Sequence, residues 1–154
     1  MIGSLAVPDY YLEDFEPGRT YRSPSWSVGE AEALEFARRY DPQYFHVDPA
    51  AARDSLFGGL VLGGFQTAAI SWALVQRTRM FDACALAGIG IDELRWYQPV
   101  RPGDALRCDF TLLDARPSRK ENDRGVARFR YDLKNQRDET VLSLVIIQLL
   151  RRRP

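Results

Sequence analysis

Apolar and polar residues alternate through much of the second half of the chain. Leu106, Cys108, Phe110 and Leu112 are separated by polar residues, and Ala127, Phe129, Tyr131 and Leu133 are separated by Arg128, Arg130 and Asp132. A period of two puts one face of a strand in a core and the other in solvent. Val141–Leu150 is apolar on both faces, and Gly88–Gln98 reads as a further strand. Gly103-Asp104 and Asn135-Gln136-Arg137-Asp138 supply turn residues between these segments. Strands that follow one another through short turns predict an antiparallel sheet.

The stretch over 28–80 has a different rhythm. Ser27-Val28-Gly29-Glu30 has the spacing of a capping box and predicts a helix carrying Leu34, Phe36, Ala37 and Tyr40. Asp48-Pro49 predicts a second helix start, with Asp48 as cap and Pro49 where its missing N–H is not needed. Beyond the glycines at 58, 59, 63 and 64, residues 65–81 predict a longer helix. Its first half, from Phe65 through Trp72 to Val75, is apolar nearly all round, so it is expected to be enclosed. A buried helix against a curved antiparallel sheet is an α+β arrangement, and residues 1–154 read as one domain.

Composition narrows the setting. Of the 154 residues 45% are hydrophobic and 27% charged, the profile of a globular chain long enough to bury a core. No apolar run approaches bilayer length. The start of the chain has no basic region and carries four acids by position 16, so no secretory signal and no membrane association are expected, and the cytoplasm is the expected compartment. Twenty-one basic residues balance 21 acidic ones, which removes the electrostatic argument for a nucleic-acid partner. Arg151-Arg152-Arg153 reads as a solvated cluster that keeps the last strand from pairing further. Cys84 and Cys108 lie far from each other and from the single histidine, without metal-ligand spacing, and read as core or surface thiols.

The candidate chemistry lies in Tyr40-Asp41-Pro42-Gln43-Tyr44-Phe45-His46-Val47-Asp48-Pro49. His46 is the only histidine, and Asp41 precedes it by five residues. An imidazole, with an unperturbed pKa of about 6.5, is the side chain best matched to proton transfer near neutrality. Pro42 turns the chain at Asp41. Gly63-Gly64 opens the long helix, where free amides can hold an oxygen that gains negative charge. On residues alone a plainer reading stays open: Asp41 caps a turn, His46 packs, and the glycines relieve crowding.

The segment Phe36–Ala52 resembles the hydratase motif of the MaoC-like dehydratases and (R)-specific enoyl-CoA hydratases, with Asp41 and His46 on its Asp and His. Phe57-Gly58-Gly59-Leu60-Val61-Leu62-Gly63-Gly64-Phe65 resembles the stretch that carries the family's oxyanion-hole glycine, which falls on Gly64. Gln98-Pro99-Val100-Arg101-Pro102-Gly103-Asp104 is similar to the family's turn between strands, and Tyr11–Gly18 continues the likeness. This chain departs from the pattern at Tyr40 (glycine in the family), Gln43 (asparagine), Tyr44 (proline) and Gly63 (histidine). The resemblance implies a hot-dog fold, a long helix wrapped by a curved antiparallel sheet. It implies reversible hydration of a 2-enoyl thioester of coenzyme A or acyl-carrier protein, with Asp41, His46 and the Gly64 amide as the catalytic groups and no metal or organic cofactor. Asp41 is the expected base for the water proton and His46 the group that orients the water and relays a proton to the α-carbon, and the two roles can be exchanged on what the sequence shows. Gln43, Phe45, Gly63 and Phe65 are the expected substrate contacts, Trp72 a further tunnel candidate, and Arg95 or Arg101 the candidates for the carrier's phosphates. It also implies a homodimer. Two other readings stay open: an acyl-CoA thioesterase on the same fold, and a non-catalytic acyl-binding protein in which Tyr40 fills the space over Asp41.

Overall fold

The computed structural model describes residues 8–154. Its frame is an antiparallel sheet in the order β1 (Thr20–Arg22), β4 (Ala105–Pro117), β5 (Arg124–Lys134), β6 (Thr140–Arg151) and β3 (Ala85–Trp96), with β2 (Trp26–Ser27) paired to the start of β4. The alternation read in the sequence sets its two faces. Phe110 pairs with Tyr131, Tyr131 with Leu144 and Phe129 with Ile146, all buried on the inner face. Each such apolar side chain contributes roughly 1.5–3 kcal/mol by leaving water. The intervening residues form a charged outer face, where Arg128 pairs with Asp114 at 2.8 Å and Arg22 grips Asp109 through two nitrogens at 2.8 and 3.1 Å. The latter bond also fastens β1 to β4.

Four helices, α1 (Glu30–Tyr40), α2 (Tyr44–Val47), α3 (Pro49–Ala52) and α4 (Gly64–Gln76), lie between β2 and β3 in the chain. Helix α4 crosses the inner face and buries Thr67, Ser71, Leu74 and Val75. This is the hot-dog arrangement. The helix ends before residue 81. The Thr78 hydroxyl donates to the Val75 carbonyl at 2.6 Å, and Arg79 adopts a φ of 61°. The turn that results carries Phe81 into the core, stacked on Phe15 at 5.0 Å and edge-on to Phe129 at 5.4 Å.

Several local expectations hold. Asp48 Oδ1 accepts from the Ala50 and Ala51 amides, both at 3.0 Å, and Pro49 opens α3. Asn135 Oδ1 accepts from the Arg137 and Glu139 amides in the turn between β5 and β6, and Gly103 takes a φ of 92° before β4. Three expectations need correction. Ser27 does not cap α1: it is drawn into β2 opposite Ala105, and extended Gly29 stands at the cap with its carbonyl accepting from Ala33. Two of the three arginines at the end are not free. Arg152 pairs with Glu13 and Arg153 with Asp14, which ties the end of β6 to the short helical turn at Leu12–Asp14, and the Arg153 guanidinium holds the Asp14 carboxyl below its ordinary pKa. Finally, α4 is enclosed on one side only. Phe65 (65% exposed), Ala69 and Trp72 (37% exposed) line an uncovered face at spacings of four and three, because a single sheet covers only half of a helix.

Both thiols are buried, and burial, helped by the charge of Asp14 near Cys84 and of Asp132 and Asp109 near Cys108, pushes Cys84 up to about 11 and Cys108 higher still. Since the thiolate is the reactive form, the native protein is expected to leave a thiol reagent such as DTNB unconsumed at pH 8 over minutes. Both cysteines should react once the chain is denatured. Fast release of one equivalent from native protein would contradict this.

Candidate functional site

Helix α1 stops at Tyr40 because Asp41 leaves helical geometry, with φ −153° and ψ 68°, while its amide still closes on the Ala37 carbonyl at 2.9 Å. Pro42 follows and disfavours further helix. The Gln43 amide then bonds the Asp41 carbonyl and the His46 amide bonds the Gln43 carbonyl, both at 2.9 Å, so the chain folds back and sets the two side chains side by side. His46 is 6% exposed. Its Nδ1 lies 2.8 Å from the Val61 carbonyl oxygen. A carbonyl only accepts, so Nδ1 carries the proton and Nε2 of the neutral ring bears the lone pair. That Nε2 is 3.5 Å from Asp41 Oδ2. The other carboxylate oxygen, Oδ1, accepts from the Gln43 side-chain amide at 2.9 Å. With the ring neutral, two acceptors therefore face each other with no hydrogen between them, an arrangement suited to a molecule that donates two hydrogens, such as water.

The pair opens into a cavity of about 430 Å³. Gln43, Phe57, Gly64, Phe65 and Thr67 line it from the helical side, and residues 96–100 line it from the end of β3. The Leu62 amide bonds the Val100 carbonyl at 2.8 Å and holds the two sides together. The volume is within the range of small-molecule sites. The first amides of α4 point toward this end of the helix, and the Gly64 N–H has no acceptor among the described residues. It is an orphan donor at the positive end of a helix dipole.

The two glycines have separate physical reasons. A Cβ on Gly63 would sit 2.7 Å from Asp41 Oδ2, and one on Gly64 would sit 2.6 Å from the Trp96 indole. Gly63 is thus the floor under the carboxylate, and it does not line the cavity. Of the other expected contacts, Gln43 and Phe65 reach the cavity. Phe45 lies behind it, its ring 4.5 Å from that of His46 and 5.3 Å from that of Phe57. Trp72 is on the uncovered face of α4 and does not line the cavity. Arg101 is engaged by the Phe57 carbonyl, and Arg95 lies in a separate depression with Tyr97 and Arg130. Tyr40 is 64% exposed and lines a second groove between α1 and α4, so it leaves the space over Asp41 open. Among the described residues, no group of three or more His, Cys, Asp or Glu is placed to hold a metal ion.

Residues 14–129 match the family described as the MaoC like domain. The chain belongs to that family. This MaoC-like domain is 30% identical over 141 residues to the uncharacterized protein YdeM of Bacillus subtilis, covering 92% of this chain and 99% of that one. It is similar to the crystal structure of the MaoC-like dehydratase from Rhodospirillum rubrum, with 38% identity, a TM-score of 0.85, and coverage of 94% of this chain and 98% of that one. A shorter stretch of 72 residues, 45% of this chain and 20% of its relative, is 40% identical to the mesaconyl-CoA hydratase of Cereibacter sphaeroides. No helix among the described residues is long and apolar enough to cross a membrane.

Trp96 was not among the candidate residues read from the sequence, although it lines the cavity and contacts Gly64. Strand alternation hides it, because an irregularity in β3 reverses the face it would otherwise take.

Proposed function

We propose that this MaoC-like domain hydrates, and in reverse dehydrates, an acyl thioester across its 2,3 bond. The observation that carries the reading is the pairing of His46 Nε2 with Asp41 Oδ2 at 3.5 Å, at the edge of a cavity that also exposes the unbonded Gly64 amide. A water between the two side chains gives one proton to an acceptor as its oxygen bonds to the β-carbon. The electron pair of the double bond moves toward the carbonyl, whose oxygen gains charge next to the Gly64 N–H. Delivery of the proton to the α-carbon from the same face completes a syn addition, with every atom of water accounted for.

The sequence expectation is Asp41 as the base, with the exchange of roles open. The bond from Nδ1 to Val61 favours the exchange. It leaves Nε2 free to accept, an imidazole is a stronger base than a carboxylate, and the resulting imidazolium lies next to Asp41. His46 then takes the water proton and passes it to the α-carbon, while Asp41 orients the water and stabilises the cation. Gln43, tied to Oδ1, keeps the other carboxylate oxygen turned toward the water. The mesaconyl-CoA hydratase relative supports a coenzyme A thioester as the substrate class. Short and long trans-2-enoyl-CoA esters provide the test. Loss of the conjugated-enoyl absorbance without release of free thiol supports hydration. Thiol release points to a thioesterase, and no change at any length returns the case to a non-catalytic binder.

The same proposal includes a homodimer. Ile89 and Ile91 are exposed on β3, which has a neighbour on one side only, and Phe65 and Trp72 are exposed on α4. A second copy placed against this edge would extend the sheet and cover the apolar residues. Light scattering after gel filtration is expected to give twice the mass of one chain, and Ile89→Arg with Ile91→Arg to reduce it to a single chain. A wild-type monomer at micromolar concentration would rule the pairing out.

A further inference from the structure

The backbone of β3 carries a device that the hydration reading does not by itself require. Asp92 pairs with Val145 and Arg95 with Ser143, so β3 advances three residues while β6 advances two. Glu93, within this bulge, has a φ of 53°, a region that non-glycine residues seldom adopt. Side chains alternate across a strand. Without the extra residue, Trp96 would share the face of Asp92, four positions earlier, on the outer side of the sheet. With it, Trp96 pairs with the buried Leu142 and its indole enters the cavity. Bulges beside functional sites commonly re-aim a side chain in this way.

The inward indole has a specific contact. Its Nε1–H donates to the Gly64 carbonyl at 3.0 Å, and the Thr67 hydroxyl donates to the same oxygen at 2.8 Å. The ring itself occupies the place where a Gly64 Cβ would stand, 2.6 to 2.8 Å from that point. Consecutive glycines have the widest torsional range in a chain. The Thr67 amide on the Gly63 carbonyl at 3.1 Å is the helix's own hold on the Gly63–Gly64 peptide, and a contact from outside the helix adds to that hold. The two bonds to the Gly64 carbonyl fix the peptide plane that follows Gly64, and the ring against its Cα removes the room in which the residue would turn.

We propose that Trp96 is a positioning residue, turned inward by the Glu93 bulge, which acts through Gly64 to aim the first amide of α4 at the thioester oxygen. The proposal rests on the hydration reading for the identity of the oxygen. The bulge explains why a strained residue persists in an edge strand: it decides the face on which the indole appears.

The test uses the full chain and a saturated probe, butyryl-CoA labelled with carbon-13 at its carbonyl, which binds without a double bond to hydrate. In the wild type, the infrared carbonyl stretch of the bound probe is expected at lower frequency than in water. In Trp96→Phe, which keeps an aromatic ring but no donor, the probe should bind within about threefold while most of the shift is lost. The value of kcat for an enoyl thioester should fall about tenfold with KM little changed, as for a lost hydrogen bond felt mainly in the transition state. Deletion of Glu93 restores the alternation without altering a residue that lines the cavity, and should produce the same two losses. An unchanged carbonyl shift and kcat in either variant overturns the proposal. A wild type that hydrates substrate but leaves the probe carbonyl unshifted also overturns it, with hydration intact. A shift that depends on Trp96 in a protein that hydrates nothing supports the positioning role and removes the hydration reading.

Discussion

Asp41→Asn and His46→Gln are each expected to lower kcat for enoyl-CoA hydration by about a thousandfold, near the middle of what a positioned acid or base contributes. The reason is the arrangement of acceptors. Asp41 Oδ2 and His46 Nε2 face each other at 3.5 Å with no hydrogen between them, and the second atom of each group is already committed, Oδ1 to Gln43 and Nδ1 to Val61. Asparagine at 41 would either present an amide N–H toward Nε2 or give up the bond to Gln43. In the first case it would occupy the lone pair that takes the water proton. Glutamine at 46 provides no comparable base. Because the two groups act on one water, the double variant should be hardly worse than either single one. The check is steady-state kinetics on the same enoyl-CoA series, with circular dichroism to verify folding. Independent losses that multiply in the double variant would show that the residues do not share a step. Single variants at wild-type rates would remove the pair from the mechanism.

Gly63→Ala is expected to be the second most damaging change, although it removes no reacting atom. Gly63 has φ −63° and ψ 146°, which alanine adopts without strain, so the fold should persist. The added Cβ would lie 2.7 Å from Asp41 Oδ2 and must displace it. The carboxylate cannot move without lengthening its bond to Gln43 or leaving His46. A displacement on the order of 1 Å at a reacting group costs about a hundredfold, and that loss in kcat with a nearly unchanged melting temperature is the expected result. Activity within a few-fold of wild type would mean that Asp41 tolerates displacement and that its observed position is not the working one. Loss of folding would assign Gly63 to packing instead.

Part of this was legible in the sequence because the signals are local. The alternation in β4 and β5 reports which side of each strand leaves water, and a period of two needs no knowledge of the rest of the chain. Asp48-Pro49 and Asn135 act on amides two to four residues away, and the structure retains them. Asp41 and His46 are close in sequence, and Pro42 between them limits the paths the chain can take. The motif resemblance added the expectation for Gly64.

Other features depend on partners distant in the chain. Ser27 has the local credentials of a cap, yet pairing with Ala105 engages it in β2. The glycines at 63 and 64 read alike in sequence, but Asp41 is the reason for one and Trp96 for the other. Phe65, Ala69 and Trp72 read as enclosed because periodicity reports apolarity and not the number of layers available to cover it. The side that Trp96 takes depends on a register shift against β6, and register is a relation between two strands that neither encodes alone. Short-range hydrogen bonding and burial patterns thus determined the elements and the approach of Asp41 to His46, whereas cross-strand register and steric contact between remote segments decided which side chains surround that pair.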